Sequence, residues 1–172
     1  MRRIAKFHKV SPAQFAKDWK DTFPTADEKE ILSVYENIRL PLRATAGSAG
    51  YYFFAPVDIT LAPGETAKIP TGIRVEMEQY WVLKCYPRSG LGFKFRLQLN
   101  NTVGIIDSDY FYSDNEGHIF SKITNDSNED KTVSIAAGTG FMQGIFVEYG
   151  ITVDDEATGV RNGGFGSTTE KK

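Results

Sequence analysis

The sequence predicts a mainly β domain of antiparallel strands preceded by a helical hairpin, and three patterns in the order of its residues carry that prediction. Between residues 11 and 40 apolar residues recur every three or four positions. From residue 49 onward they recur every second position, the mark of strands with one buried face. Turn residues interrupt this second stretch at short intervals, as in an antiparallel sandwich, barrel or jelly roll.

The first helix starts at Ser11, which can cap it, with Pro12 at the first helical position and Gln14 completing a capping box. Phe15, Trp19 and Phe23 then share one face, and Pro24 marks the end. Thr25 with Glu28 repeats the capping signature, after which Ile31, Leu32, Tyr35 and Ile38 form a stripe that stops before Pro41. The hairpin at 11–40 is too short to stand alone and is expected to pack on the β body.

In the strands, Ile73, Val75 and Met77 alternate with Arg74, Glu76 and Glu78, and Phe93, Phe95, Leu97 and Leu99 with Lys94, Arg96, Gln98 and Asn100. Val133 with Ile135 and Ile145 with Val147 continue the pattern. Ala62-Pro63-Gly64-Glu65, Pro70-Thr71-Gly72, Asn115-Glu116-Gly117 and Gly138-Thr139-Gly140 supply the turns. The tail 159–172 has four glycines and only Val160 and Phe165 to bury, so it is expected to be mobile on its own.

With 172 residues, 41% of them hydrophobic, the chain reads as one domain (1–172) that buries roughly 70% of its unfolded surface without staples. Cys85 has no partner for a disulfide, and His8 and His118 are too few for a Cys/His zinc site, which points to a reducing, cytoplasmic setting. A formal net charge of −2 argues against a general nucleic-acid coat. No run approaches the roughly 20 apolar residues of a membrane span, and charges at Arg2, Arg3, Lys6 and Lys9 interrupt the place of a signal peptide.

Familiar motifs fall away on counting. The run from Gly138 to Gly144 misses the dinucleotide fingerprint by one residue, the tail lacks the lysine of a phosphate loop, and Tyr112 fills the glycine position of a calcium loop begun by Asp107-Ser108-Asp109. Three short segments remain. Pro87-Arg88-Ser89-Gly90 offers a guanidinium, a hydroxyl and exposed backbone N–H groups to phosphate oxygens, or is a charged β-turn. In Asn101 to Tyr110 an apolar pair delivers Asp107 where a carboxylate could deprotonate a water, or where it merely caps a turn. In Arg161 to Thr168, Phe165 could close over a flat ligand while Arg161 reaches an anion, or the segment is a plain chain end.

In this order and spacing the segments resemble the trimeric dUTP pyrophosphatase (dUTPase) family over residues 36 to 169. Ser48-Ala49-Gly50-Tyr51 resembles its first motif, Pro87 to Gly92 its second, Gly104 to Tyr110 its third, Gly138 to Gln143 a degenerate fourth and Arg161 to Thr168 its fifth. The resemblance implies a distorted jelly roll (β-clip), a homotrimer with active sites shared between subunits, and hydrolysis of dUTP to dUMP and pyrophosphate with Mg²⁺. Such an activity keeps uracil out of DNA and supplies dUMP for dTMP synthesis.

It further implies that Asp107 activates the water, that Tyr110 packs under the deoxyribose and excludes a ribose hydroxyl, and that Arg88, Ser89 and Gly90 hold phosphate oxygens. Gln143 would assist near the phosphates or the water, and the hairpin from Asn101 to Tyr110, with Gly104 and Ile106, would read uracil through its backbone. Phe165 would stack on the base with Gly166 and Ser167 beside it, and Arg161 would meet the γ-phosphate. Mg²⁺ would be held by the triphosphate and waters, with no direct protein ligand. Two positions depart from the pattern: Tyr52 stands where the family has a metal-supporting Asp, and Gly140 where it has an Arg. Tyr52 keeps open a catalytically weakened nucleotide-binding regulator, whereas Asp107 with Tyr110 disfavours the related dCTP deaminases, which need a Glu in the third motif.

Overall fold

A computed structural model of the chain describes residues 2–164. The chain opens with β1 (Ala5–Lys9), α1 (Pro12–Thr22) and α2 (Glu28–Asn37). β2 (Leu42–Arg43), β3 (Tyr51–Phe54), β4 (Ile59–Leu61), β5 (Thr66–Pro70), β6 (Ile73–Met77) and β7 (Trp81–Pro87) follow. After α3 (Ser89–Phe95) come β8 (Leu97–Leu99), β9 (Gly104–Asp107), a 3₁₀ turn (Ser108–Tyr112), β10 (Phe120–Asn125), β11 (Val133–Ile135) and β12 (Gly140–Glu148). All strand pairs are antiparallel: a five-stranded sheet β2-β3-β12-β7-β9, a three-stranded sheet β5-β10-β8, and the pairs β1-β6 and β4-β11.

Local chemistry explains the helices. Ser11 caps α1, its side chain accepting from Gln14 N at 3.1 Å, and the stripe Phe15, Trp19, Phe23 runs down the buried face with successive ring centroids 5.1 and 4.7 Å apart. The capping box is only half formed. Gln14 Nε2 turns to Asp18, and Ser11 N donates to Glu116 on a distant turn. The second cap is also corrected: Asp27, not Thr25, accepts from Glu30 N at 2.8 Å. Asp27 and Glu30 repeat the same one-in-four spacing, and Asp caps at least as well as Thr. The hairpin docks where Gly72 (φ 72°) leaves room, since a Cβ there would collide with Ile38 and crowd Phe15.

Three strand expectations change. β1 was not foreseen, because its charges hid a strand whose Phe7 enters the core opposite Val75. The expected strand through Phe93 to Leu99 keeps only Leu97–Leu99, paired with β10. Upstream, Leu91 N and Gly92 N both donate to Arg88 O at 3.0 Å, coiling the chain into α3, and Arg96 in the left-handed region (φ 50°) ends it. Phe93 is thereby left on the surface. In β12 a bulge between Gly140 and Met142 shifts the register, so Phe146 rather than Ile145 or Val147 packs on Phe7, ring centroids 5.7 Å apart.

Candidate active site

β9 runs beside β7 with Val82 opposite Asp107 and Cys85 opposite Gly104. The strands approach closely at Gly104, where a Cβ would lie 3.1 Å from Cys85 Cβ. Before β9 the chain tightens through Thr102 (φ 65°), whose N donates to Leu99 O at 2.8 Å. This hairpin forms one wall of a cavity of about 810 Å³, to which Asn101, Gly104, Ile106, Asp107, Tyr110 and Arg161 all contribute. Six residues singled out in the sequence thus come together. Burial pushes the Cys85 thiol in its lining up to about 12, so it is an inert wall residue rather than a nucleophile.

Asp107 ends β9 and the 3₁₀ turn then swings Tyr110 inward. The Tyr110 hydroxyl donates to His118 O at 2.7 Å and accepts from Asn115 Nδ2 at 2.8 Å. Burial raises the phenol above its ordinary value, so it stays neutral and can serve both bonds at once. Sequence reasoning missed Asn115 and His118. The turn signal Asn115-Glu116-Gly117 was visible, but not what its side chains would grip.

The described part of the tail lies on this wall. Arg161 donates from Nη2 to Asp107 Oδ2 at 2.5 Å and from Nε to Asp109 Oδ1 at 2.9 Å, and its guanidinium carbon is 6.0 Å from the Tyr110 ring centre. Gly164 meets the Tyr110 ring so closely that a Cβ would sit 2.9 Å from Cε2. The resemblance implied that Arg161 meets the γ-phosphate; here it pairs with carboxylates of its own chain. The expected contacts of Phe165, Gly166 and Ser167 lie outside the described residues.

Arg88, Ser89, Gly90 and Gln143 form a second group, none of which lines that cavity. Arg88 N donates to Phe141 O at 3.1 Å, its Nη1 to Gly140 O at 3.3 Å, and its guanidinium carbon stands 5.0 Å from the Tyr52 ring centre. Gln143, opposite Tyr52 on the neighbouring strand, donates to Pro87 O at 3.2 Å. Its Oε1 lies so near Gly50 that a Cβ there would come within 2.9 Å. Gly90 faces open space on the side a Cβ would occupy, leaving its backbone approachable. The group offers cationic and backbone donors to an anion.

Among the described residues no three His, Cys, Asp or Glu side chains cluster in a way that could hold a metal. Asp107 and Asp109 are engaged by Arg161, and Tyr52 sits beside a guanidinium. Both carboxylates of the site are thus taken up by a guanidinium within this chain.

Comparison with known proteins places this geometry. The dUTPase family profile matches residues 36–169. A deoxyuridine 5'-triphosphate nucleotidohydrolase of Lactococcus lactis subsp. lactis is 41% identical over 144 residues, covering 81% of this chain and 95% of that protein. One from Photorhabdus laumondii is 37% identical, over 76% and 87%. The crystal structure of a dUTPase from Streptococcus mutans superimposes with a TM-score of 0.62 at 31% identity, covering 87% of this chain and 98% of that one. A dUTPase from phage phi11 of S. aureus shares the fold, with a TM-score of 0.62 at 19% identity.

Proposed function

The chain belongs to the dUTPase family, and we infer from its site that it hydrolyses dUTP to dUMP and pyrophosphate. One water adds across the α–β phosphoanhydride: its oxygen goes to the α-phosphorus, and pyrophosphate leaves. The observation that carries this reading is the placement of Asp107 and Tyr110 on one strand-to-turn step at the edge of the cavity, with Arg161 against both.

In this reading the nucleoside enters the 810 Å³ cavity with its base against the backbone of the Asn101–Ile106 hairpin and its sugar on the Tyr110 ring. Asp107 accepts the proton of the attacking water. As the γ-phosphate arrives, Arg161 exchanges carboxylate partners for phosphate oxygens, which leaves Asp107 free to act as the base. Phe165 stacks on the base, with Gly166 and Ser167 alongside. Mg²⁺ would arrive with the substrate and supply charge neutralisation on the triphosphate, held there through its phosphates and waters.

Arg88, Ser89, Gly90 and Gln143 complete the phosphate site from a neighbouring subunit of a homotrimer. What supports this is that they form a group of phosphate donors outside the cavity that holds Asp107. The described residues include no helix long and apolar enough to cross a membrane. Together with the unpaired, buried Cys85, that is consistent with work in the cytoplasm on free nucleotides.

Incubation with dUTP, dCTP, dTTP and UTP plus Mg²⁺, with ion-exchange separation of products, tests the reading. dUMP and pyrophosphate are expected from dUTP alone. Bound but unconverted dUTP would favour the regulator that Tyr52 keeps open.

A further inference from the structure

The nucleotide reading gives the helical hairpin no task, yet α1 is fastened to the wall of the cavity at two points. At its start, Ser11 N and Ser11 Oγ donate to the two carboxylate oxygens of Glu116, at 2.7 and 2.6 Å. Two helical turns on, Asp18, itself buried and bonded by Gln14, takes a 2.5 Å hydrogen bond from His118 Nδ1. The direction of that bond is fixed. Gly72 N donates to His118 Nε2 at 2.8 Å, so Nε2 carries the lone pair and the ring proton sits on Nδ1, facing Asp18. His118 is fully enclosed, so losing its partner would leave a buried N–H unpaired.

Between the two fastenings lies the Asn115–His118 turn, which holds the Tyr110 hydroxyl from both sides through Asn115 Nδ2 and the His118 carbonyl. Its middle residues Glu116 and Gly117 both adopt left-handed backbone (φ 58° and 68°), a conformation that Glu keeps only when something holds it. The Ser11 bonds hold Glu116, and Asp18 holds His118. A further pin is Gly117 itself, where a Cβ would lie 2.6 Å from Tyr110 O.

We propose that α1 is a clamp on the sugar wall of the nucleotide site. Asp18 and Glu116 act as positioning residues that fix Tyr110 and thereby set discrimination between deoxyribose and ribose. The proposal rests on the reading of Tyr110 as the residue packed against the sugar. Loss of either fastening frees the turn, lets the Tyr110 ring move by fractions of an ångström, and makes room for a 2′-hydroxyl. The dUTP chemistry itself is left to groups the clamp does not touch.

The test is the ratio of kcat/KM for dUTP to that for UTP in the intact, folded D18N, E116Q, Y110F and Y110L proteins. D18N and E116Q are expected to lower that ratio by about tenfold or more while kcat for dUTP stays within about threefold. Y110F, which keeps the ring and loses both hydroxyl bonds, is expected to lower the ratio similarly. The D18N/Y110F double variant should be no worse than Y110F alone, because both act through one contact. An unchanged ratio in folded D18N and E116Q, with the ratio lost in Y110L, would overturn the clamp and leave the sugar reading standing. An unchanged ratio in Y110L as well would overturn the sugar reading itself. Should D18N not fold, E116Q and S11A carry the same test, since they leave the buried Asp18–His118 pair intact.

Discussion

Tyr52 and Gly140, the two positions where the resemblance implied an Asp and an Arg, are in contact with each other. A Cβ added at Gly140 would lie 3.4 Å from Tyr52 Cβ, in ordinary van der Waals contact, so the two positions are direct neighbours. Arg88 closes the cluster, bonded to Gly140 O and facing the Tyr52 ring. A cation over a ring at a partly exposed position contributes about 0.5–1 kcal/mol, enough to orient Arg88 but no substitute for a carboxylate near a metal–triphosphate. Y52D is therefore expected to lower the Mg²⁺ concentration for half-maximal turnover, by about 10- to 100-fold if the Asp supports the ion through water as such groups do elsewhere. Titration of turnover with Mg²⁺ reads this directly, and an unchanged midpoint would show that Tyr52 does not impair metal use. Both departures were visible in the sequence one at a time. That they touch was not, because residues 52 and 140 meet only through the pairing of β3 with β12.

Elements show where pattern reading succeeds and where it stops. Ser11-Pro12 and the four-residue aromatic spacing give α1 its true start and face, and the strict alternation of Ile73, Val75 and Met77 gives β6. Phe93 and Phe95 alternate just as strictly yet lie in α3. Alternation builds a strand only where a partner strand is within reach, and β10 reaches no further than Leu97. The cap at Asp27 lay three residues from its Glu30 partner, but Thr25 and Glu28 offered the same spacing and nothing local separates them. Asp18 was a plain helical polar residue until the fold brought His118 to it. That pair, with Glu116 on Ser11, gives α1 an acid-sensitive attachment. Burial works to raise both carboxyls, but hydrogen bonds from His118 and Gln14 outweigh it for Asp18, and those from Ser11 for Glu116, so both fall below their ordinary values. A carboxyl with a depressed folded-state pKa stabilises the fold above its unfolded pKa, 3.8 and 4.5 here, and loses that contribution as pH falls through the folded value. Urea unfolding at pH 7 is expected to find D18N destabilised by about 1–3 kcal/mol. The gap to the unsubstituted protein should close as pH falls below about 4; a gap that stays constant with pH would mean the pair adds no charge-dependent stability.

At the scale of the molecule, the five segments were legible as chemistry but not as an assembly. Sequence order does not tell whether the segment at Arg88 and the carboxylate at 107 line one cavity, and among the described residues of one chain they do not. A shared site makes a sharp expectation. Mixed trimers refolded from inactive D107N and inactive R88A subunits should regain activity, because some interfaces then pair an intact Asp107 with an intact Arg88; no recovery would place both groups in the same subunit's site. The tail completes the picture from the other side. None of residues 159–164 belongs to the buried core, and Arg161, Asn162 and Gly164 make their contacts with Asp107, Asp109, Asp114 and Tyr110 at the rim of the site. Deleting residues 159–172 thus takes Arg161 from the two carboxylates and Gly164 from the Tyr110 ring, and removes no described residue of the buried core. Since loss of one preorganised charge-stabilising donor costs about 10²–10³ in kcat, turnover should fall by at least that factor. Sedimentation and circular dichroism should match the full chain. Full turnover in the truncated protein would reduce Arg161 to a surface ion pair and return Asp107 to acting without a closing tail.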